Sequence, residues 1–171
     1  MPISKKRIIV AAAYGLTSAF AMGTYVAPAM AATSTSTFQV TATVAASCQI
    51  STTNLAFGAY TGAATTATST ISVTCTSTTL YNVGLNAGTA TGATVTTRQM
   101  TGSANANALL NYALYRDSAH TLNWGNTVGT DTMSGSGSGA VQSLTVYGQI
   151  PASQIVAPGS YTDTITATIT Y

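Results

Sequence analysis

The stretch Ile71-Ser72-Val73-Thr74-Cys75 alternates between apolar side chains and side chains that carry a hydroxyl. Because successive side chains of a β-strand point to opposite faces of the sheet, this pattern predicts a strand with one face in a core. Threonine fills many of the polar positions, where a β-branched polar side chain suits the solvent face. The same period of two recurs in the stretches 38–44, 81–85, 110–114, 144–148 and 165–171.

The segments between these stretches are rich in Gly, Ser, Asn and Ala, which is typical of turns and loops. They cover residues 58–69, 86–94, 101–108 and 125–140. Within the last of them, Ser and Gly alternate from Ser134 to Gly139, a composition typical of flexible linkers. Apolar residues at helical spacing are almost absent. The sequence therefore predicts an all-β fold, an antiparallel sandwich or barrel.

The composition excludes several classes of function. Only 5% of the 171 residues are charged, with five Lys+Arg, three Asp+Glu and one His, whereas a typical domain is about a quarter charged. Nucleic-acid binding requires clustered basic residues, and a metal site requires several His, Cys, Asp or Glu ligands. We therefore expect no nucleic-acid partner, no metal and no cofactor.

The N-terminus has the three parts of a secretory signal peptide. Basic residues at Lys5-Lys6-Arg7 precede the apolar run 8–13, and small residues surround Ala31. We predict a leader over residues 1–31 and export through the Sec pathway. An uncleaved membrane anchor is the alternative, but polar residues and Pro28 interrupt the apolar run.

Cleavage after Ala31 would leave 140 residues with two arginines and three aspartates, so the positive charge belongs to the leader. The exported part holds two cysteines, Cys48 and Cys75. An even count in an oxidising compartment predicts one structural disulfide. The spacing of a redox C-x-x-C motif is absent.

Candidate chemical residues are few. His120 is the only histidine, and Gly137 stands where a G-x-S-x-G motif would place its nucleophile. We predict no catalytic residue and interpret Arg116-Asp117 as a surface pair or a turn cap. Trp124 suggests an aromatic residue packed at a turn, or else a carbohydrate platform together with Tyr115.

The two ends of the predicted domain are unusual. An alternating stretch, 38–44, follows a polar leader sequence, and the last predicted strand, 161–171, continues to the final residue. A hydrophobic edge strand is an aggregation hazard unless it is covered. The N-terminal strand of one copy can pair with the C-terminal strand of the next copy. Head-to-tail contacts of this kind generate filaments when the copies do not close into a ring.

Six segments resemble the spore coat protein U family, which includes subunits of archaic (Csu-type) chaperone–usher pili. They are LAFGAY (55–60), ISVTCT (71–76), YALYRD (112–117), WGN (124–126), VYGQIP (146–151) and PGSYTDT (158–164). The resemblance implies an immunoglobulin-like sandwich that lacks its final strand. A periplasmic chaperone would fill the resulting groove, and the extension of the next identical or related subunit would replace it at the outer-membrane usher.

On this resemblance, residues 32–46 form the donor extension and 47–171 the pilin domain. The cysteines match the family's disulfide pair. The donor side chains would be Phe38, Val40, Ala42 and Val44. The last strand, bordering the acceptor groove, would contribute Ile165, Ala167, Ile169 and Tyr171.

The resemblance implies a structural subunit of a cell-surface fibre that supports adhesion and biofilm formation, and not an enzyme. One alternative is a stand-alone secreted sandwich, a binding or coat protein whose N-terminal strand folds into its own groove. A periplasmic enzyme is disfavoured because titratable residues are so scarce.

Overall fold

The computed structural model describes residues 29–105 and 107–171. Almost all of the predicted leader, 1–31, lies outside the described residues. The chain divides into two units, Met1–Thr41 and Ala42–Tyr171. The described part of the first unit, 29–41, is exposed and forms neither helix nor strand. All of the strands belong to the second unit.

The described residues form nine strands and no helix, so no described helix could cross a membrane. In chain order the strands are β1 (Cys48–Thr52), β2 (Thr65–Cys75), β3 (Leu80–Leu85), β4 (Arg98–Gly102), β5 (Leu109–Tyr115), β6 (Met133–Ser136), β7 (Gln142–Ile150), β8 (Tyr161–Thr162) and β9 (Ala167–Thr170). Every pairing is antiparallel. The predicted all-β antiparallel architecture is confirmed.

The strands form two sheets. The larger sheet has the order β1-β2-β7-β5-β4-β8, and the smaller has the order β6-β3-β9. The alternation of residues 71–75 is visible in β2, where Ile71, Val73 and Cys75 are at most 2% exposed while the hydroxyl residues between them are half-buried. The core is completed by Trp124, from the turn after β5, and by inward-facing residues of the neighbouring strands: Tyr81, Val83, Leu85, Leu110, Tyr112, Leu114, Val146 and Ile150.

Two strands lie where the sequence predicts loops. β6 falls inside the predicted connection 125–140, and its Gly135 lies opposite Tyr81 of β3. A Cβ at Gly135 would collide with the Tyr81 ring, so this glycine admits a neighbouring aromatic side chain and is not part of a flexible linker. β2 begins at Thr65, inside the predicted connection 58–69.

The predicted last strand, 161–171, is wrong as a single element. β8 pairs with β4 in the larger sheet, whereas β9 pairs with β3 in the smaller sheet. The chain crosses from one sheet to the other between them, at Asp163–Thr166. The Asp163 carboxylate anchors this crossing because it accepts hydrogen bonds from the Tyr112 hydroxyl (2.7 Å) and the Thr89 N–H (2.8 Å).

A disulfide joins the first two strands. Cys48 and Cys75 are direct partners in the β1–β2 ladder, and their Cα atoms are 4.1 Å apart. The bond closes a loop with a sequence separation of 27 residues. Cross-linking a loop of this length restricts the unfolded chain.

We expect the double substitution Cys48→Ala/Cys75→Ala to lower the free energy of unfolding by about 3 kcal/mol. Denaturant unfolding of the two proteins, each with and without dithiothreitol, checks this value. The reductant should weaken only the protein that carries the disulfide. Equal midpoints for the oxidised protein and the double variant would contradict the expectation.

Candidate functional site

A groove with a volume of about 540 Å³ opens along one side of the sandwich. Its floor consists of core side chains from both sheets, among them Ile71, Leu85, Leu114 and Val146. One wall is the segment Thr52–Phe57, which begins at the last residue of β1. The other wall is Tyr161–Ala167, which includes β8 and the crossing to β9.

Hydrogen bonds to β2 hold the first wall. The Thr53 N–H donates to the Thr70 carbonyl (2.9 Å), and the hydroxyls of Thr53 and Ser69 are 3.1 Å apart. Phe57 packs edge-on against Tyr112, with ring centroids 6.1 Å apart. Leu55 and Phe57 lie over Gly148, where a Cβ would come within 2.9 Å of both side chains. This wall therefore depends on the absence of a side chain at that position.

Asp163 fixes the second wall. It binds Tyr112 and Thr89 as described, and the Thr89 hydroxyl also donates to its Oδ1 atom (2.8 Å). Burial, together with the hydrogen bond to Asp163, raises the pKa of the Tyr112 hydroxyl well above its ordinary value. The hydroxyl therefore remains a donor to the carboxylate. Asn86 holds the next part of the wall by accepting the Thr166 N–H (2.9 Å).

The groove lies beside two sheet edges. β1 pairs only with β2, and β9 pairs only with β3 among the described strands. The groove begins at Thr52, the last residue of β1, and at Ala167, the first residue of β9. Edge strands present unpaired N–H and C=O groups, which form a template for another strand.

The residues predicted on the last strand have different positions. Ile165 and Ala167 line the groove. Ile169 is partly buried against the core and pairs with Val83, whereas Tyr171 follows the end of β9 and is 58% exposed.

The predicted donor stretch, 38–44, forms no strand. In the first unit, Phe38 and Val40 are 87% and 81% exposed, and in the second unit Val44 is 86% exposed. Ala42 is exposed as well. Since strands form by pairing, an alternating segment without a partner has no ladder to join.

Two sequence-based interpretations concern the turn after β5. Trp124 is fully buried, and its indole N–H donates to the Val83 carbonyl (2.8 Å). The packed-aromatic interpretation is therefore right, and the carbohydrate platform on Trp124 is wrong. Asp117 caps the turn, because its carboxylate accepts the N–H groups of Leu122 (2.7 Å) and Thr121 (3.1 Å). The bond from Leu122 is the main cause that holds the pKa of Asp117 below its ordinary value.

Arg98, at the start of β4, has a structural role that the sequence pattern does not predict. It is 0% exposed, and its guanidinium donates four hydrogen bonds to backbone carbonyls. The distances are 2.8 Å to Asn86, 2.7 Å to Val95, 3.0 Å to Leu85 and 2.7 Å to Trp124. Burial lowers the pKa of Arg98, but an arginine stays protonated in proteins. One charged group thus connects β3, β4 and the turn after β5.

The family model for the Spore Coat Protein U domain matches residues 34–168. The chain belongs to this family. Protein U of Myxococcus xanthus is 35% identical to it over 160 residues, which cover 84% of this chain and 88% of that protein. The matched region therefore contains β1 to β8 and the first half of β9.

A solved structure shares the fold of this Spore Coat Protein U domain. It is the CsuC–CsuE chaperone–tip adhesion subunit pre-assembly complex from the archaic chaperone–usher Csu pili of Acinetobacter baumannii. The matched chain is 25% identical, with a TM-score of 0.56 over 75% of the present chain. The present chain spans 40% of the length of that chain. The family and the immunoglobulin-like fold are those of surface pilus or coat subunits.

Proposed function

We propose that this chain is a structural subunit of a surface fibre, which polymerises when one copy donates residues 32–46 to the groove of the next copy. The observation that carries the proposal is a groove beside two sheet edges, in a chain whose alternating segment 38–44 has no partner strand. Strand addition to an exposed sheet edge is an established mode of recognition.

The donor segment is long enough to form a strand, and its chemistry suits the groove. Seven residues of extended strand span about 23 Å at 3.3 Å per residue, and Phe38, Val40, Ala42 and Val44 would share one face. That face would meet the apolar floor formed by residues such as Ile71 and Leu114. Burial of the three larger side chains would contribute at most about 5–9 kcal/mol, and the backbone ladder along the free edges would add to it.

The proposed partners are those that the similarity to chaperone–usher pilus subunits implies. After export through the Sec pathway and removal of residues 1–31, an open apolar groove would need a temporary occupant. A periplasmic chaperone would supply that occupant, and an outer-membrane usher would exchange it for the next subunit. The chaperone-bound state of the similar Csu subunit supports this sequence of events. The final location is a cell-surface fibre that supports adhesion and biofilm formation.

A self-complemented coat protein is the second candidate. The 35% identity to Protein U over 88% of its length favours it. In that case the same segment would enter the groove of its own chain. The groove and the donor residues would be unchanged, and only the connectivity would differ.

Photochemical cross-linking separates the two candidates. The full chain, with benzoylphenylalanine in place of Phe38, is expressed in its native host and irradiated on the cells. We expect ladders of cross-linked dimers and higher oligomers on a reducing denaturing gel, with cross-links to groove residues such as Leu114 or Ile165. The matched control carries the probe at Gln39, on the opposite face of the strand, and should not cross-link to the floor of the groove.

Each result has a clear meaning. Cross-linking to the groove within single chains would favour the self-complemented coat protein. Cross-links from position 38 that avoid the groove altogether would show that residues 32–46 are not the donor.

A further inference from the structure

The outer face of the larger sheet carries a row of aromatic residues. Tyr115 of β5 and Tyr147 of β7 are directly paired, and Tyr147 is paired on its other side with Thr68 of β2. His120, from the turn after β5, stands edge-on to both tyrosines, with centroid distances of 5.3 Å to Tyr115 and 6.4 Å to Tyr147. We call Tyr115, His120 and Tyr147 the aromatic cluster.

The polar atoms of the aromatic cluster are unused within the described part of the chain. The hydroxyls of Tyr60, Tyr81, Tyr112 and Tyr161 all donate hydrogen bonds inside the fold. No such bond is made by Tyr115 or Tyr147, or by the ring of His120, and all three side chains are half-buried. No described side chain has a buried polar atom without a partner, so these groups face solvent. The cluster therefore combines apolar ring surface with free donors and acceptors.

The strand face around the aromatic cluster is uncharged and rich in hydroxyl and amide groups. It carries Thr66, Thr68, Thr70, Ser72, Thr74, Ser143, Thr145 and Gln149. Arg116 and Asp117 belong to the same turn as His120, and every charged side chain beyond residue 31 has hydrogen-bond partners within the fold. Arg98 is buried, Arg116 donates to the carbonyls of Asn123 and Thr132, Asp131 accepts the Thr127 N–H, and Asp163 lines the groove. Asp117 is held by the backbone of its own turn.

His120 adopts a left-handed backbone conformation. Its φ angle is 57°, in a region that is uncommon for residues other than glycine, although histidine enters it more often than most residues do. Asn or Gly would fit this turn position at lower cost. In this conformation the imidazole stands against two tyrosines, whereas a glycine at this position would fit the turn without providing a ring.

We propose that the aromatic cluster and the threonine-rich face around it bind a neutral polysaccharide. Tyrosine provides a rigid ring with a polar tip, which suits the apolar C–H faces and the hydroxyls of sugars. The row Thr68–Tyr147–Tyr115 spans about 10 Å across three strands, enough for a polymer to lie along it. An anionic polymer would lose hydration on this face without gaining a cationic partner, because the Arg116 guanidinium already binds the carbonyls of Asn123 and Thr132. The site lies on the sheet face and not in the groove, so it goes beyond the proposed assembly.

Affinity electrophoresis of the full secreted chain tests the proposal. The gels contain a soluble α-glucan, a soluble β-glucan or a galactomannan, with alginate as the anionic comparator. We expect at least one neutral polymer to retard the wild type and alginate not to do so. Tyr147→Ala and Tyr115→Ala should weaken the retardation at least tenfold, whereas Thr74→Ala, at the far end of the same face, should stay within twofold of the wild type.

The His120→Gly variant distinguishes a loss of binding from a loss of folding. Glycine accepts the positive φ angle, so this variant removes the ring while keeping the turn unstrained. We expect it to melt no lower than the wild type and to bind the neutral polymer at least fivefold more weakly. The proposal is overturned if no neutral polymer retards the wild type, if alginate retards it equally, or if His120→Gly and both tyrosine variants bind like the wild type.

Discussion

Deletion of residues 32–46 should abolish fibres on the cell surface while leaving the remaining domain able to bind its chaperone. The expected effect is large because the deletion removes the whole strand, with Phe38, Val40 and Val44 and every backbone group that would pair at the free edges. Electron microscopy of the cells and a denaturing gel without boiling provide the measurement. The deletion keeps Cys48 and all nine strands, so the groove itself is unchanged.

A point variant makes the same test without shortening the chain. Val40→Asp places a charge where an apolar side chain would be buried, and the cost of burying an unpaired charge is several kcal/mol. We expect it to block assembly, whereas Thr41→Asp, on the opposite face of the strand, should still assemble. Fibres of normal length from the deletion or from Val40→Asp would show that another segment performs the donation.

Arg98→Met should produce a large loss of stability. The substitution keeps most of the side-chain length and removes the donors for the carbonyls of Leu85, Asn86, Val95 and Trp124. Hydrogen bonds to charged groups contribute about 1.5–3 kcal/mol each, and buried groups left without partners are costly. We expect the free energy of unfolding to fall by about 3–5 kcal/mol, a large part of the stability of a typical domain.

The matched control for this prediction is Arg116→Met. Arg116 is only half-buried and donates to two carbonyls, those of Asn123 and Thr132. Its loss should cost about 1–2 kcal/mol. Denaturant midpoints and secreted yields of the two variants give the comparison. Equal stability of both variants would mean that the carbonyls around Arg98 find water or other partners.

The sequence alone could predict the strands whose outward positions are polar. In residues 71–75 of β2 and 144–148 of β7 the period of two is uninterrupted, because one side of each strand is core and the other is water. The alternation does not predict β4, because its first inward position is a charged residue, Arg98. Arg98 can be buried because three separate segments of the chain bring their carbonyls to it. The local sequence pattern does not reveal that arrangement.

The groove and the aromatic cluster are also predictable from the sequence only in part. Alternation in 38–44 and at Ile165 and Ala167 predicts which side chains could meet in a strand exchange. The groove itself depends on the chain crossing between sheets at Asp163, which alternation does not reveal. For the aromatic cluster, Tyr115 was considered from sequence, but Tyr147 is distant in the chain and joins it only through the register of β5 and β7.

The binding of both arginine side chains by backbone carbonyls affects proteolysis of the domain. Beyond residue 31 the chain contains no lysine, so Arg98 and Arg116 are the only positions after which a trypsin-like protease can cut. Such an enzyme must draw the basic side chain into its own specificity pocket. Here both guanidinium groups are held by carbonyls of the fold, and Arg98 is fully buried. Digestion by a trypsin-like enzyme must therefore wait for the domain to open, and the interactions that hold the sandwich together also set its lifetime against proteases of this specificity.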